Sequence, residues 1–214
     1  KSLDRSGSLS SLCVMYGAAI AFGTTLVVSN GIGPAGAGEF FRLMALFAIA
    51  TSTAVFGADT GLVRTISAQN ALGSYSAIPR LIRYAVLPPL ALSLGITAVA
   101  CIYSVAVPMP HEYAVALRMS ALFVIVAAVM SVYFWALRGL NHVVTFTVMQ
   151  NVLLPTLRFG AIALVVFASG HLLDLVFAWT LPVAATALLT LWVVESYMPR
   201  SKDRPQYEAA ATTP

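Results

Sequence analysis

The chain has 214 residues, of which 59% are hydrophobic and 9% charged, with a formal net charge of +4. A soluble domain carries about 25% charged residues, so a mean hydropathy of +0.87 excludes an ordinary water-soluble globule. The excess of Lys and Arg is spread over short connections rather than gathered in a patch, which argues against nucleic acid as a partner.

Six apolar stretches are each long enough to cross a hydrocarbon core of about 30 Å at about 1.5 Å per residue. They predict helices over 11–31, 41–67, 84–107, 115–137, 143–168 and 173–195. The expected fold class is an all-α integral membrane protein, a six-transmembrane-helix bundle over 1–198 followed by a polar tail or linker over 199–214. The first span is too long, and followed too closely by the second, to be a cleaved signal. Lys1 is not a methionine and the tail reads as a linker, so the chain is expected to be part of a longer protein.

Between spans one and two, "NGIGPAGAGEF" contains a GxGxxG pattern in Gly31, Gly33 and Gly36. A dinucleotide fingerprint needs a preceding strand. Apolar helices flank this one, so the stretch is expected to be a flexible turn. In span two, counting about 100° per residue from Arg42, Thr53 falls at about 20°, Thr60 at about 0° and Arg64 at about 40°. This is a polar track with an arginine near each end. Asp59 lies off it, as a coupling carboxylate or the partner of an arginine on another helix.

Pro79 suits the first turn of span three, and Arg80 and Arg83 suit anionic headgroups beside it. Pro88, Pro89, Pro155 and Pro182 lie inside spans and predict kinks. Ser120, Ser131 and Arg138 share a face of span four. Gly17, Gly23, Gly57 and Gly95 are candidates for close helix contact.

Span five carries the most informative polar residues. From Thr147, Asn151 falls at about 40°, Arg158 at about 20° and Ser169 at about 40°. A central arginine costs about 2.5–3.5 kcal/mol on insertion scales, so this stripe is expected to line a hydrated cavity. Pro155 removes the N–H that would bond the Asn151 carbonyl, loosening the helix there. The competing reading is a packing role, with Arg158 paired to a carboxylate or to carbonyls on a neighbouring helix.

The positive-inside rule orients the chain. Lys1, Arg5, Arg64, Arg80, Arg83, Arg138, Arg200, Lys202 and Arg204 fall on one side, against Arg42 and Arg118 on the other, predicting cytoplasmic termini. Cys13 and Cys101 sit within apolar spans and read as small buried residues. His111, His142 and His171 lie in or beside connections, without metal spacing, a nucleophile elbow or paired intramembrane carboxylates. No enzyme, metal or cofactor is expected.

The stretches "GPAGAGEFFRLMALFAIATSTAVFGADTGLVRTISAQNALG" and "ALRGLNHVVTFTVMQNVLLPTLRFGAIALVV" resemble polysaccharide or O-antigen flippases of the multidrug/oligosaccharidyl-lipid/polysaccharide exporter superfamily. The shared features are Gly57 and Gly61 followed by Arg64, and the Pro-x-x-Arg of Pro155 and Arg158. The resemblance implies an N-terminal six-helix lobe of a two-lobe inner-membrane transporter whose C-terminal lobe lies outside this chain. It also implies a polyprenyl-pyrophosphate-linked saccharide as cargo. Arg158, Asn151 and Thr147 would contact the anionic cargo, and Arg42 and Arg64 would serve at the ends of its path. A drug-exporter lobe of the same superfamily and a non-transporting scaffold module are the alternatives.

Overall fold

The computed structural model describes residues 2–55, 57–72 and 77–197, and the side chains of these except at 2–6, 58 and 59. The tail over 199–214 lies outside the described residues. Among the described residues there are seven helices and no strand: α1 (Ser2–Gly31), α2 (Gly33–Ala54), α3 (Ala58–Ala71), α4 (Ile78–Ala106), α5 (His111–Gly139), α6 (Val143–Ala168) and α7 (Leu172–Tyr197). Five of them, α1 from Gly7 onward and α4 to α7, are long and apolar enough to cross a membrane.

The expected span over 41–67 is not one helix. α2 begins at Gly33, inside the predicted turn, because Pro34 in its first turn suits a helix start and Gly33 takes φ of 74°. It ends at Ala54, and α3 restarts after Gly57, whose φ of 73° lies in the left-handed region. A residue with a Cβ pays about 1–2 kcal/mol to enter that region. The break therefore sits where glycine supplies the needed conformation.

α5 is the central helix. Its buried residues, from Ala114 through Leu137, are scattered round its circumference, as expected of a helix surrounded by protein. One apolar cluster joins the end of α1 and the start of α2 to the start of α5, the second half of α6 and the start of α7, through Val28, Phe40, Leu43, Ala116, Ile162 and Leu175. A second joins α3, the start of α4 and the end of α5 to the rest, through Ile66, Ile78, Val132, Leu137, Val183 and Val194. The up-and-down order of the helices puts these clusters at opposite ends of the bundle. Arg42 and Arg118 fall at the first end, and Arg64, Arg80, Arg83 and Arg138 at the second.

The outer faces of α1 and α4 expose Met15, Phe22, Leu87, Val99, Ile102 and Val105. So large an apolar surface is unfavourable against water and ordinary against lipid tails.

Buried hydroxyls are mostly satisfied within their own helices: Thr180 Oγ1 donates to the Val176 carbonyl and Thr190 Oγ1 to that of Thr186. Others bond between helices: Thr97 on α4 donates to the Ala121 carbonyl on α5 at 2.8 Å, Ser104 on α4 accepts from Arg118 Nε on α5 at 2.7 Å, and the exposed Ser67 on α3 donates to the Gly139 carbonyl at 3.2 Å.

Close helix approach uses some of the expected glycines and not others. A Cβ on Gly17 would lie 2.6 Å from the Asn151 carbonyl oxygen, and one on Gly23 would lie 3.4 Å from the Phe159 ring. Gly57 and Gly95 have nothing within 4 Å. Gly139 was not among the expected contacts, yet its Cβ would meet that of Ile66 at 2.8 Å.

Candidate functional site

Pro155 shapes the middle of α6. Lacking an N–H, it cannot bond the Asn151 carbonyl four residues back. The helix responds with a π turn over Met149–Leu153, in which the Leu154 N–H donates to the Met149 carbonyl five residues back. Such a turn holds one residue more than an α turn and rotates everything beyond it by about 100°. The backbone of Asn151 packs against Gly17 of α1, close enough that any side chain at 17 would collide with it.

The rotation divides the expected stripe. Thr147 is buried, its Oγ1 donating to the Val143 carbonyl at 2.8 Å. Asn151 Nδ2 donates back to the Thr147 carbonyl at 3.2 Å. Arg158, beyond the π turn, reaches α7: its guanidinium lies over the Trp179 ring, 4.1 Å from the centroid, and Nε donates to the Trp179 carbonyl at 3.3 Å. Trp179 in turn meets Phe40 of α2 edge-on, with centroids 6.0 Å apart. Ser169, at the end of α6, donates to Asp174 Oδ2 at 2.7 Å. The single face drawn for an ideal helix is thus two faces.

Arg158 is half-buried and, among the described residues, meets an aromatic face and a carbonyl of the neighbouring helix, as the packing reading expects, and no carboxylate. A guanidinium carries five N–H donors, and the bond to Trp179 uses one of them. Stacking on the ring stabilises the cation by about 0.5–2 kcal/mol, the same order as the insertion cost of a central arginine.

The polar track expected along span two is interrupted at Gly57, so its angular register does not carry from α2 into α3. Thr53 is exposed on α2 and its Oγ1 donates to the Ile49 carbonyl at 2.8 Å. Thr60 and Arg64 are exposed on α3. The side chain of Asp59 lies outside those described. Arg42 is exposed on α2, its guanidinium 5.8 Å from the centroid of Tyr113 on α5.

Arg42 also lines a cavity of about 600 Å³ between α2, α4 and α5. Arg158, Asn151 and Thr147 are not among its lining residues. No known protein family, curated protein or solved structure matches this chain.

Sequence reasoning missed the aromatic partners Trp179 and Tyr113. A tryptophan well inside a span, rather than at its interfacial end, is the signal that points to Trp179. The cavity has no comparable signal, because its walls are ordinary apolar residues. Cys13 is buried, Cys101 is half-buried, and both are free thiols. Among the described residues no group of His, Cys, Asp and Glu is arranged to hold a metal ion.

Proposed function

We propose that this chain is one lobe of a membrane transporter that moves an anionic lipid-linked oligosaccharide across the inner membrane. In this reading α2 and its continuation α3 add a sixth crossing to the five long helices. α2 alone, at 22 residues, is about 33 Å long. Both termini then face the cytoplasm, on the side of Arg64, Arg80, Arg83 and Arg138. A second lobe completes the transport path, since alternating access requires two bundles to rock about a shared site.

The observation that carries the reading is the environment of Arg158. A guanidinium within a span, held by a ring and a carbonyl with no carboxylate beside it among the described residues, leaves most of its donors uncommitted. A pyrophosphate suits such a group, because planar paired donors match phosphate oxygens. The π turn and the break at Gly57 interrupt regular hydrogen bonding in two crossings, as helices that rearrange around a cargo require. An exporter of cationic drugs would be better served by a carboxylate at this position.

The test is the amount of lipid-linked saccharide retained on the inner leaflet in cells producing the intact protein with Arg158→Gln, at protein levels matched to wild type. Accumulation is expected. Unchanged export would return Arg158 to a packing role and remove the main support for an anionic cargo.

A further inference from the structure

The cavity between α2, α4 and α5 differs in shape and chemistry from the surroundings of Arg158. Its polar end is formed by Glu39, Arg42 and Tyr113, and its walls continue through Leu46 to Ala50 and Val124. Ala50 follows Glu39 by eleven residues, about 16 Å of helix. That depth equals one leaflet's share of a hydrocarbon core of about 30 Å.

The groove opens sideways. Leu46, Val99 and Tyr103 line it and are 44%, 67% and 51% exposed. In a bilayer an occupant therefore arrives from among the lipid tails.

The polar end carries two charges of opposite sign, Glu39 and Arg42, one helical turn apart and both exposed. The Arg42 guanidinium lies over the Tyr113 ring. The Tyr113 hydroxyl oxygen is buried, with no hydrogen-bond partner among the described residues.

We infer that this groove is a binding site for a zwitterionic phospholipid bearing a primary ammonium, of the phosphatidylethanolamine class. The phosphate accepts hydrogen bonds from Arg42, beside the Tyr113 ring. The ammonium donates to Glu39, and one acyl chain lies along Leu46, Ala50 and Val124. Phosphatidylglycerol has no cation for Glu39, and the quaternary ammonium of phosphatidylcholine has no N–H to donate. The headgroup charges thus select among lipids that share the same tails. The inference does not rest on the transport reading, because Arg158 takes no part in it.

The experiment is native mass spectrometry of the full chain in detergent, titrated in turn with phosphatidylethanolamine, phosphatidylcholine and phosphatidylglycerol of identical acyl chains. Phosphatidylethanolamine is expected to bind several-fold more tightly than either of the others. Arg42→Gln should weaken all three by about tenfold or more, as loss of a charge-assisted hydrogen bond does. Glu39→Gln should bring phosphatidylethanolamine down to the level of phosphatidylcholine. Both residues are exposed, so these variants test the site without disturbing the core. Ala100→Phe, which fills the groove from α4, should abolish binding of all three lipids while the thermal unfolding profile stays intact.

Equal binding of the three lipids by wild type would overturn the proposal, as would retention of phosphatidylethanolamine by Arg42→Gln. Competition by soluble phosphoethanolamine as effective as that of the lipid would place recognition outside the groove and overturn it too.

Discussion

Substituting alanine for Gly17 and for Gly95 makes the same chemical change at two helical glycines, and the structure predicts opposite signs. At Gly17 the new Cβ falls 2.6 Å from the Asn151 carbonyl oxygen and 3.4 Å from its carbonyl carbon and Cα. These are backbone atoms in the π turn, and no rotamer change moves them aside. Either α1 or the π turn must shift, and overpacking of this kind costs about 1–3 kcal/mol. Against it stands the helix-propensity gain of alanine over glycine, at most about 1 kcal/mol. At Gly95 nothing lies within 4 Å, so only the gain remains. Gly17→Ala is therefore expected to be destabilised by up to about 2 kcal/mol and Gly95→Ala to be neutral or slightly stabilised. The assay is unfolding of the purified chain in mixed micelles with increasing dodecyl sulfate, followed by circular dichroism. Gly17→Ala as stable as Gly95→Ala would refute the close approach of α1 to α6.

Three further outcomes are expected in the same assay. Gly57→Ala should cost about 1–2 kcal/mol because its φ is left-handed although its surroundings are open; Gly61→Ala, equally open but helical, should not, and equal effects would place the α2–α3 break elsewhere. Arg158→Lys should lose about 0.5–2 kcal/mol, since an ammonium cannot stack flat on the Trp179 ring, and should alter Trp179 fluorescence in a variant lacking Trp135 and Trp192; an unchanged spectrum would count against the stack. Thr97→Val keeps the shape and removes the hydrogen bond to the Ala121 carbonyl, for a loss of about 0.6 kcal/mol and at most about 1.7; a larger loss would mean that Thr97 supports more than this bond.

The sequence by itself determined the helical class and five of the long helices. The predicted 84–107, 115–137, 143–168 and 173–195 lie within or at the edge of α4 to α7, and 11–31 within α1. Apolar run length is a property of the chain alone, and the bilayer requires each crossing to satisfy its own backbone.

What the sequence could not supply is which apolar surface meets protein and which meets lipid, because both read as hydrophobic. Phe22 on α1 and Phe40 on α2 look alike as letters, yet one is 66% exposed and the other fully buried. Backbone register was the second gap. Pro155 announced a disturbance in α6, but the π turn before it, and the fit of its Asn151 carbonyl against Gly17 of another helix, appear only in the structure. Gly57 likewise stood in a continuous apolar stretch, and its left-handed φ and the packing of Ile66 on α3 against Gly139 of α5 appear only in the structure. Faces drawn at about 100° per residue hold as far as the helix stays regular. Where it does not, at the π turn before Pro155 and at Gly57, only the folded backbone decides which face each later side chain takes.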